Sequence, residues 1–193
     1  MKLKLVKIGN PLLRKKILSI SKMGMKAKRF RSFLKNMVTT MRHAGGVGLA
    51  ANQVGENQRA FVMECQGNRR YPSRPAFPLQ AYLNPRIVSY SKAKLRDWEG
   101  CLSIPGFRGK VPRSKQITFE ALRPDGQKIR KTVRGFEARV VQHEVDHLNG
   151  LFYIDRMKDF RSWTHLEEFN RKFGIKVKIK SNPSLDLLAA VKY

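Results

Sequence analysis

The chain has 193 residues, 41% of them hydrophobic, which is enough for one domain with a packed core and too apolar for a disordered chain. Its formal net charge is +26, a field that favours polyanions such as RNA, DNA or anionic lipid, unless it is a composition bias with no partner. No apolar run approaches the roughly 20 residues of a membrane span, and the cysteines, Cys65 and Cys101, make no disulfide framework, so a cytoplasmic protein in a reducing compartment is expected.

Residues 1–8 alternate apolar and basic, so a strand is expected over residues 3–8. They lack the apolar stretch and cleavage site of a secretory signal. Gly9-Asn10-Pro11 reads as a turn. From Lys26 to Arg42, Phe30, Phe33, Leu34, Met37, Val38 and Met41 recur at helical spacing, with Lys28, Arg29, Arg31, Lys35 and Arg42 on the outer face. Residues 1–55 hold thirteen Lys/Arg and no Asp or Glu. Next comes Gly45-Gly46-Val47-Gly48-Leu49-Ala50-Ala51-Asn52-Gln53. Its glycines permit close backbone approach, but no Lys-Ser/Thr follows and no strand precedes, so neither phosphate-loop pattern fits. Two readings stay open: a plain loop, or a cleft wall whose backbone pairs with an extended ligand.

Strands are expected at Arg59–Cys65, Ala81–Tyr90, Lys115–Leu122 and Gln127–Val133. Pro124-Asp125-Gly126 turns the last two into an antiparallel hairpin. Residues 66–80 read as a surface loop, and Trp98–Gly106 lies between the strands with no element of its own. Arg161–Phe173 has weak helical character, and the tail from Gly174 cannot be placed. No repeat or linker divides the chain. A single domain over 1–193 is expected, with a C-terminal extension of unknown structure from about residue 160.

The chemistry concentrates in Gln142-His143-Glu144-Val145-Asp146-His147-Leu148-Asn149-Gly150. On a helix, His143 and His147 sit one turn apart on one face and can bind one divalent metal. Glu144 lies beside the metal, poorly placed to ligate it and well placed to take a proton from metal-bound water. Phe136, Val140, His143, Glu144, His147 and Leu151 share one face, and Val141, Val145 and Leu148 form a second apolar stripe. A helix apolar on two sides belongs in the domain centre. Asn149-Gly150 supplies the stop. An open catalytic site needs a third ligand. Tyr153 stands where an astacin-like pattern wants histidine. Glu167, Glu168 and His165 lie downstream at workable distances. Cys101, in a Gly-Cys-Leu turn, and Cys65, at a strand end, lie upstream.

Three stretches resemble, in order, the motifs of peptide deformylase: Gly46-Val47-Gly48-Leu49-Ala50-Ala51-Asn52-Gln53, Glu99-Gly100-Cys101-Leu102-Ser103 and Gln142-His143-Glu144-Val145-Asp146-His147-Leu148. The likeness runs from about Leu5 to Met157. It implies an α+β fold, with antiparallel strands surrounding a central metal-binding helix and the Lys26–Arg42 helix packed outside. It implies removal of the formyl group from N-formylmethionine on nascent chains. Cys101, His143 and His147 would hold the metal, with ferrous iron in the cell and zinc, nickel or cobalt acceptable to the same donors. Glu144 would be the general base, and the Leu102 N–H and Gln53 amide would hold the developing oxyanion. Val47, Gly48 and Gly100 would pair with an extended substrate, and Val47, Phe136, Val140 and His143 would line the methionine pocket, with Arg139 near its rim. The basic surface gains a rationale in contact with ribosomal RNA. Two rivals are a metalloendopeptidase using Glu167 or Glu168, and a nucleic-acid-binding protein with a closed structural metal.

Overall fold

The computed structural model describes residues 1–66 and 74–173, and of Lys22 and Lys26 the backbone only. In chain order the elements are α1 (Lys22–Lys26), α2 (Lys28–His43), β1 (Gly48–Ala50), β2 (Ala60–Cys65), β3 (Phe77–Tyr90), β4 (Lys94–Cys101), β5 (Ile104–Ser114), β6 (Gln116–Leu122), β7 (Lys128–Arg134), α3 (Gly135–Leu148), β8 (Thr164–His165) and α4 (Leu166–Lys172). They form an antiparallel sheet in the order β1-β2-β3-β6-β7 and a smaller one in the order β4-β5-β8. Helix α3 packs against strands of both sheets. The α+β class holds, with strands surrounding the histidine-bearing helix.

Strand β2 shows why the layers stack this way. Its side chains are buried throughout, so it needs cover on both faces. Phe61, Met63 and Cys65 enter one core with Val141, Val145 and Leu148 of α3. Ala60 and Val62 point the other way and join Phe30, Leu34, Met37 and Met41 of α2. The apolar stripe read from Lys26 to Arg42 thus packs on the outside of the sheet. Its helix starts at Lys28, after the separate short turn α1.

Helix α3 buries eleven of its fourteen residues. Gly150 ends it with φ +77°, donating its N–H to the His147 carbonyl at 3.1 Å. A side chain at Gly150 would also press into the Arg14 carbonyl carbon, 2.7 Å from the ideal Cβ position. Left-handed backbone and tight packing both require glycine there.

Four expectations are corrected. Residues 3–8 form no strand. Val6 N–H donates to Gln53 O (2.8 Å) and Ile8 N–H to Ser103 O (2.9 Å), partners on two irregular segments that build no ladder. The alternation recorded a chain half-buried along a groove, not a sheet. The 66–80 loop is shorter at its far end, because β3 begins at Phe77 and pairs with Cys65. The stretch around Trp98–Gly106 is the tip of a long hairpin, β4–β5. Pro105, Gly106, Gly109 and Pro112 masked its strand pattern. The weakly helical Arg161–Phe173 resolves into β8, paired with β5, and the seven-residue α4. The tail from Gly174 lies outside the described residues.

Candidate active site

The two sheets present edge strands to one another across a cleft of about 470 Å³. One lip is Gly46, Val47 and Gly48, and the other is Trp98, Glu99 and Gly100, with α3 below. Val47 O accepts a hydrogen bond from Glu64 N–H at 3.0 Å, so its carbonyl belongs to β2. Antiparallel alternation then turns the N–H and C=O of Gly48 away from β2 and toward the cleft. Val47 itself offers the cleft a side chain.

Cys101 reaches the floor because the β4–β5 register shifts between Glu99 and Cys101, just before the Leu102-Ser103 turn. Its sulfur lies 3.2 Å from His147 Nε2, which lies 3.2 Å from His143 Nε2. Among the described residues, Cys101, His143 and His147 are the one group of three potential ligands converging in this way, all within 4.8 Å of one another. Three lone-pair donors packed so closely repel one another unless a cation or protons intervene, and a thiolate with two imidazoles suits a borderline divalent metal. Burial opposes ionisation of the Cys101 thiol, but the imidazoles of His147 and His143 outweigh it and hold the thiol well below its usual range. The Ser103 N–H (3.3 Å) and Gln53 Nε2 (3.4 Å) also donate to that sulfur.

The other predicted ligands lie elsewhere. Cys65 is in the core beneath β2. Glu168 pairs with Arg171 on the surface, and Glu167 is 67% exposed. The Tyr153 hydroxyl accepts from Trp163 Nε1 at 3.1 Å, and its ring lies parallel to that of His143.

Glu144 is buried beside the ligands, and its Oε2 has no hydrogen-bond partner among the described residues. Burial is the main cause that pushes its pKa up, to about 7, with the nearby histidines pulling the other way. It packs on Gly48, where an added Cβ would lie 2.7 Å from the Glu144 carboxyl carbon. Gln53 is held at both ends. Its Oε1 accepts from Ala50 N–H (2.9 Å), and its Nε2 donates to Ser103 Oγ (3.2 Å) as well as to the thiol. Leu102 lines the cleft at the hairpin turn, and Phe136 and Val140 line it from α3 while also packing in the core.

Arg139 borders the cleft but is buried rather than exposed at its rim. It is 4% exposed, donating to Glu99 Oε1 (2.7 Å) and to the carbonyls of Leu95 (2.6 Å) and Val111 (3.0 Å). It belongs to a buried ion lattice that sequence reasoning missed. Glu99 Oε2 meets His143 Nδ1 at 2.8 Å, and Arg113 grips both Glu99 oxygens (2.9 and 3.0 Å) and also Asp146. Arg156 closes the lattice on Asp146 at 2.7 Å. Burial alone would raise the Glu99 pKa, but Arg113 and His143 hold it well below the usual carboxylate range. A signal was present. Gln142 and Asp146 are more polar groups than two ligands and a base account for, on a helix expected in the domain centre, and buried polar groups demand partners.

A helix and a sheet edge thus share three donors able to hold a metal ion, with an extended cleft leading to them, an arrangement suited to a metal-dependent hydrolase. The comparisons with known proteins specify which one. The family model for polypeptide deformylase matches residues 2–163. A peptide deformylase of Leptospira biflexa is 39% identical over 168 residues, covering 86% of this chain and 94% of the relative. Peptide deformylase 2 of Pseudomonas putida is 44% identical over 137 residues, 71% of this chain and 77% of the relative. The crystal structure of class I type b peptide deformylase from Acinetobacter baumannii with Met-Ala-Ser bound superposes with a TM-score of 0.79 at 33% identity, covering 81% of this chain and 99% of that one. The chain belongs to the peptide deformylase family.

Proposed function

We propose that this chain deformylates new polypeptides with the residues gathered at the cleft floor. The reaction is hydrolysis of the formyl amide on the N-terminal methionine of nascent polypeptides, releasing formate and a free amine. One observation carries the assignment of residues: Cys101, His143 and His147 converge beside a buried oxygen of Glu144 that has no hydrogen-bond partner among the described residues.

A divalent ion on Cys101 Sγ, His143 Nε2 and His147 Nε2 would supply Lewis acidity, bringing the pKa of a water from about 16 toward 7. We assign ferrous iron in the cell, with zinc, nickel and cobalt fitting the same donors in a purified sample. Glu144 takes the proton of the attacking water. Burial stands the Glu144 pKa at about 7 in the metal-free site, and a dication beside it would pull the value down, favouring the carboxylate that accepts the proton. The water oxygen bonds to the formyl carbon, and charge builds on the formyl oxygen. The Leu102 N–H and one Gln53 Nε2 hydrogen, leaving Ser103, donate to that oxygen. A single donor of this kind is worth about 3 kcal/mol. The carbon–nitrogen bond then breaks, and Glu144 returns its proton to the leaving nitrogen.

The substrate backbone pairs with Gly48 on one lip and Gly100 on the other, which makes the site tolerant of sequence beyond methionine. The methionine side chain enters the pocket formed by Val47, Phe136, Val140 and His143. The Met-Ala-Ser bound to the Acinetobacter relative supports an extended tripeptide in the matching cleft.

The exposed Lys28, Arg29, Arg31 and Lys35 of α2 support contact with ribosomal RNA, and the cytoplasm is the compartment where such substrates emerge. Among the described residues no helix is long and apolar enough to cross a membrane. Co-sedimentation with ribosomes at low salt, lost near about half-molar salt, is the expected result, and none at any salt removes this partner.

The central test is an assay of formyl-Met-Ala-Ser read as free amine. Cys101→Ser should lose metal and turnover while Cys65→Ser keeps both. The reverse result moves the third ligand. Cleavage within unformylated peptides by a Cys101→Ser protein would instead favour the endopeptidase reading.

A further inference from the structure

Trp98 has two sides. One borders the catalytic cleft. The other borders a second groove of about 840 Å³ between the β4–β5 hairpin and α4. Its aromatic wall is Trp98 packed edge-on against Phe169 (4.9 Å between centroids) and Phe173 (5.9 Å). Phe173 is 49% exposed, so apolar surface stays open there. The charges in the groove are uneven. Asp159 is engaged by Arg96 (3.1 Å) and Glu168 by Arg171. The Lys110 ammonium lies 5.4 Å from the centre of the Trp98 ring, and Lys172 forms no ion pair among the described residues. An aromatic platform with spare cations beside it fits an extended peptide carrying acidic side chains.

We propose that this groove is an exosite for the same polypeptide substrate. Residues downstream of the formylmethionine cross Trp98 and place acidic side chains against Lys110 and Lys172. The proposal rests on the deformylase reading of the cleft and adds a substrate preference to it. Continuity through Trp98 favours this occupant. An extended chain advances about 3.4 Å per residue, so it leaves the cleft within a few residues. A phosphate at every nucleotide would meet Asp159 and Glu168 as well as the lysines, whereas a peptide can set isolated carboxylates against Lys110 and Lys172 alone, so RNA is the less suited ligand.

The test compares formyl-Met-Ala-Ser with two longer formylated peptides, identical except for an Asp/Glu pair or a Lys pair in the residues after serine. The wild-type protein should show a higher kcat/KM on the acidic peptide, by about two- to five-fold per ion pair formed. Lys110→Glu with Lys172→Glu should abolish or reverse that preference and leave formyl-Met-Ala-Ser turnover unchanged. Lys35→Glu, a charge reversal at one site on distant α2, should leave the preference intact. If the double variant keeps the preference, or Lys35→Glu removes it equally, the exosite is overturned. If the double variant loses affinity for a single-stranded oligonucleotide but keeps the peptide preference, the groove is an RNA site and the proposal again falls. Failure of the wild type on formyl-Met-Ala-Ser itself overturns the parent reading, which distinguishes the two failures.

Discussion

Behind His143, Glu99 takes hydrogen bonds from Arg113, Arg139 and the imidazole, whereas in front of it one oxygen of Glu144 has no partner among the described residues. Both carboxyl groups are buried, and their pKa values move in opposite directions. Glu99 is fixed as an anion because cations overcome the cost of burial. Glu144 is left near 7 because burial is the larger effect there. Environment has divided two identical functional groups into a support and a reagent. The support holds a ring in place, while the reagent must be able to change its protonation state.

The largest expected effect breaks the front of this comparison. Glu144→Ala should lower deformylation by about 10²- to 10⁴-fold while leaving bound metal and thermal stability near wild type. Removing a buried carboxyl with one oxygen unpartnered among the described residues costs the fold little. Wild-type turnover in that variant would remove Glu144 from the reaction. Next comes Gly48→Ala. Its Cβ would press on the Glu144 carboxylate, and a displacement near 1 Å at a catalytic group can cost about 10²-fold. Turnover should fall by that order while the melting temperature moves little. An unchanged rate would mean that Glu144 tolerates displacement.

The front of the site was legible in sequence and the back was not, for a physical reason. His143, Glu144 and His147 lie within five residues of one helix, so their geometry follows from the helical repeat alone. Gly48 and Gln53, and the choice of Cys101 among the third ligands that spacing left open, came instead from the likeness to the deformylase motifs. The lattice joins Glu99, Arg113, Arg139, Asp146 and Arg156, which come from two strands, a helix and a 3-10 turn. No spacing rule connects them. Arg139 shows the limit well: its helical position placed it correctly beside the pocket, but its partners on β4 and β5 depended on a hairpin that proline and glycine had hidden. The N-terminal segment failed in the opposite way, since its alternation was real and its hydrogen bonds went to irregular backbone.

Breaking the back of the comparison should cost stability before chemistry. Arg113→Met leaves Glu99 and Asp146 without their shared cation, and loss of one partner from a buried ion pair costs about 3–5 kcal/mol. Denaturant unfolding should show this. Metal affinity should fall as well, because Glu99 no longer orients His143. The lattice also sets a pH dependence. Glu99 and Asp146 both titrate lower in the folded protein than in the unfolded chain. Their stabilisation is therefore complete above the ordinary carboxylate range, near about 4, and is withdrawn as pH falls through the depressed folded values. Arg113→Met should flatten that acid limb. A variant whose stability fell as steeply with acid as wild type would assign the limb to other groups.

The smallest expected effect sharpens the comparison by removing burial from it. On the outer face of the five-stranded sheet Glu120 bridges Arg86 (3.0 Å) and Arg130 (3.2 Å), with the same chemistry as Glu99 between Arg113 and Arg139. Those arginines are 75% and 69% exposed, against 5% for the buried pair. Water screens the outer bridge and solvates either partner when the other is removed. Glu120→Gln should therefore change stability by less than about 1 kcal/mol, and the change should shrink further with added salt. Turnover of formyl-Met-Ala-Ser should not move. If Glu120→Gln cost as much as Arg113→Met, burial would not govern these ion pairs; self-repulsion could contribute to the first cost only, because losing a carboxylate raises the net charge of +26 whereas losing an arginine lowers it. Measuring both variants at two salt concentrations separates the two causes: the added self-repulsion in Glu120→Gln weakens with salt, whereas the uncompensated buried carboxylates of Arg113→Met are not reached by it.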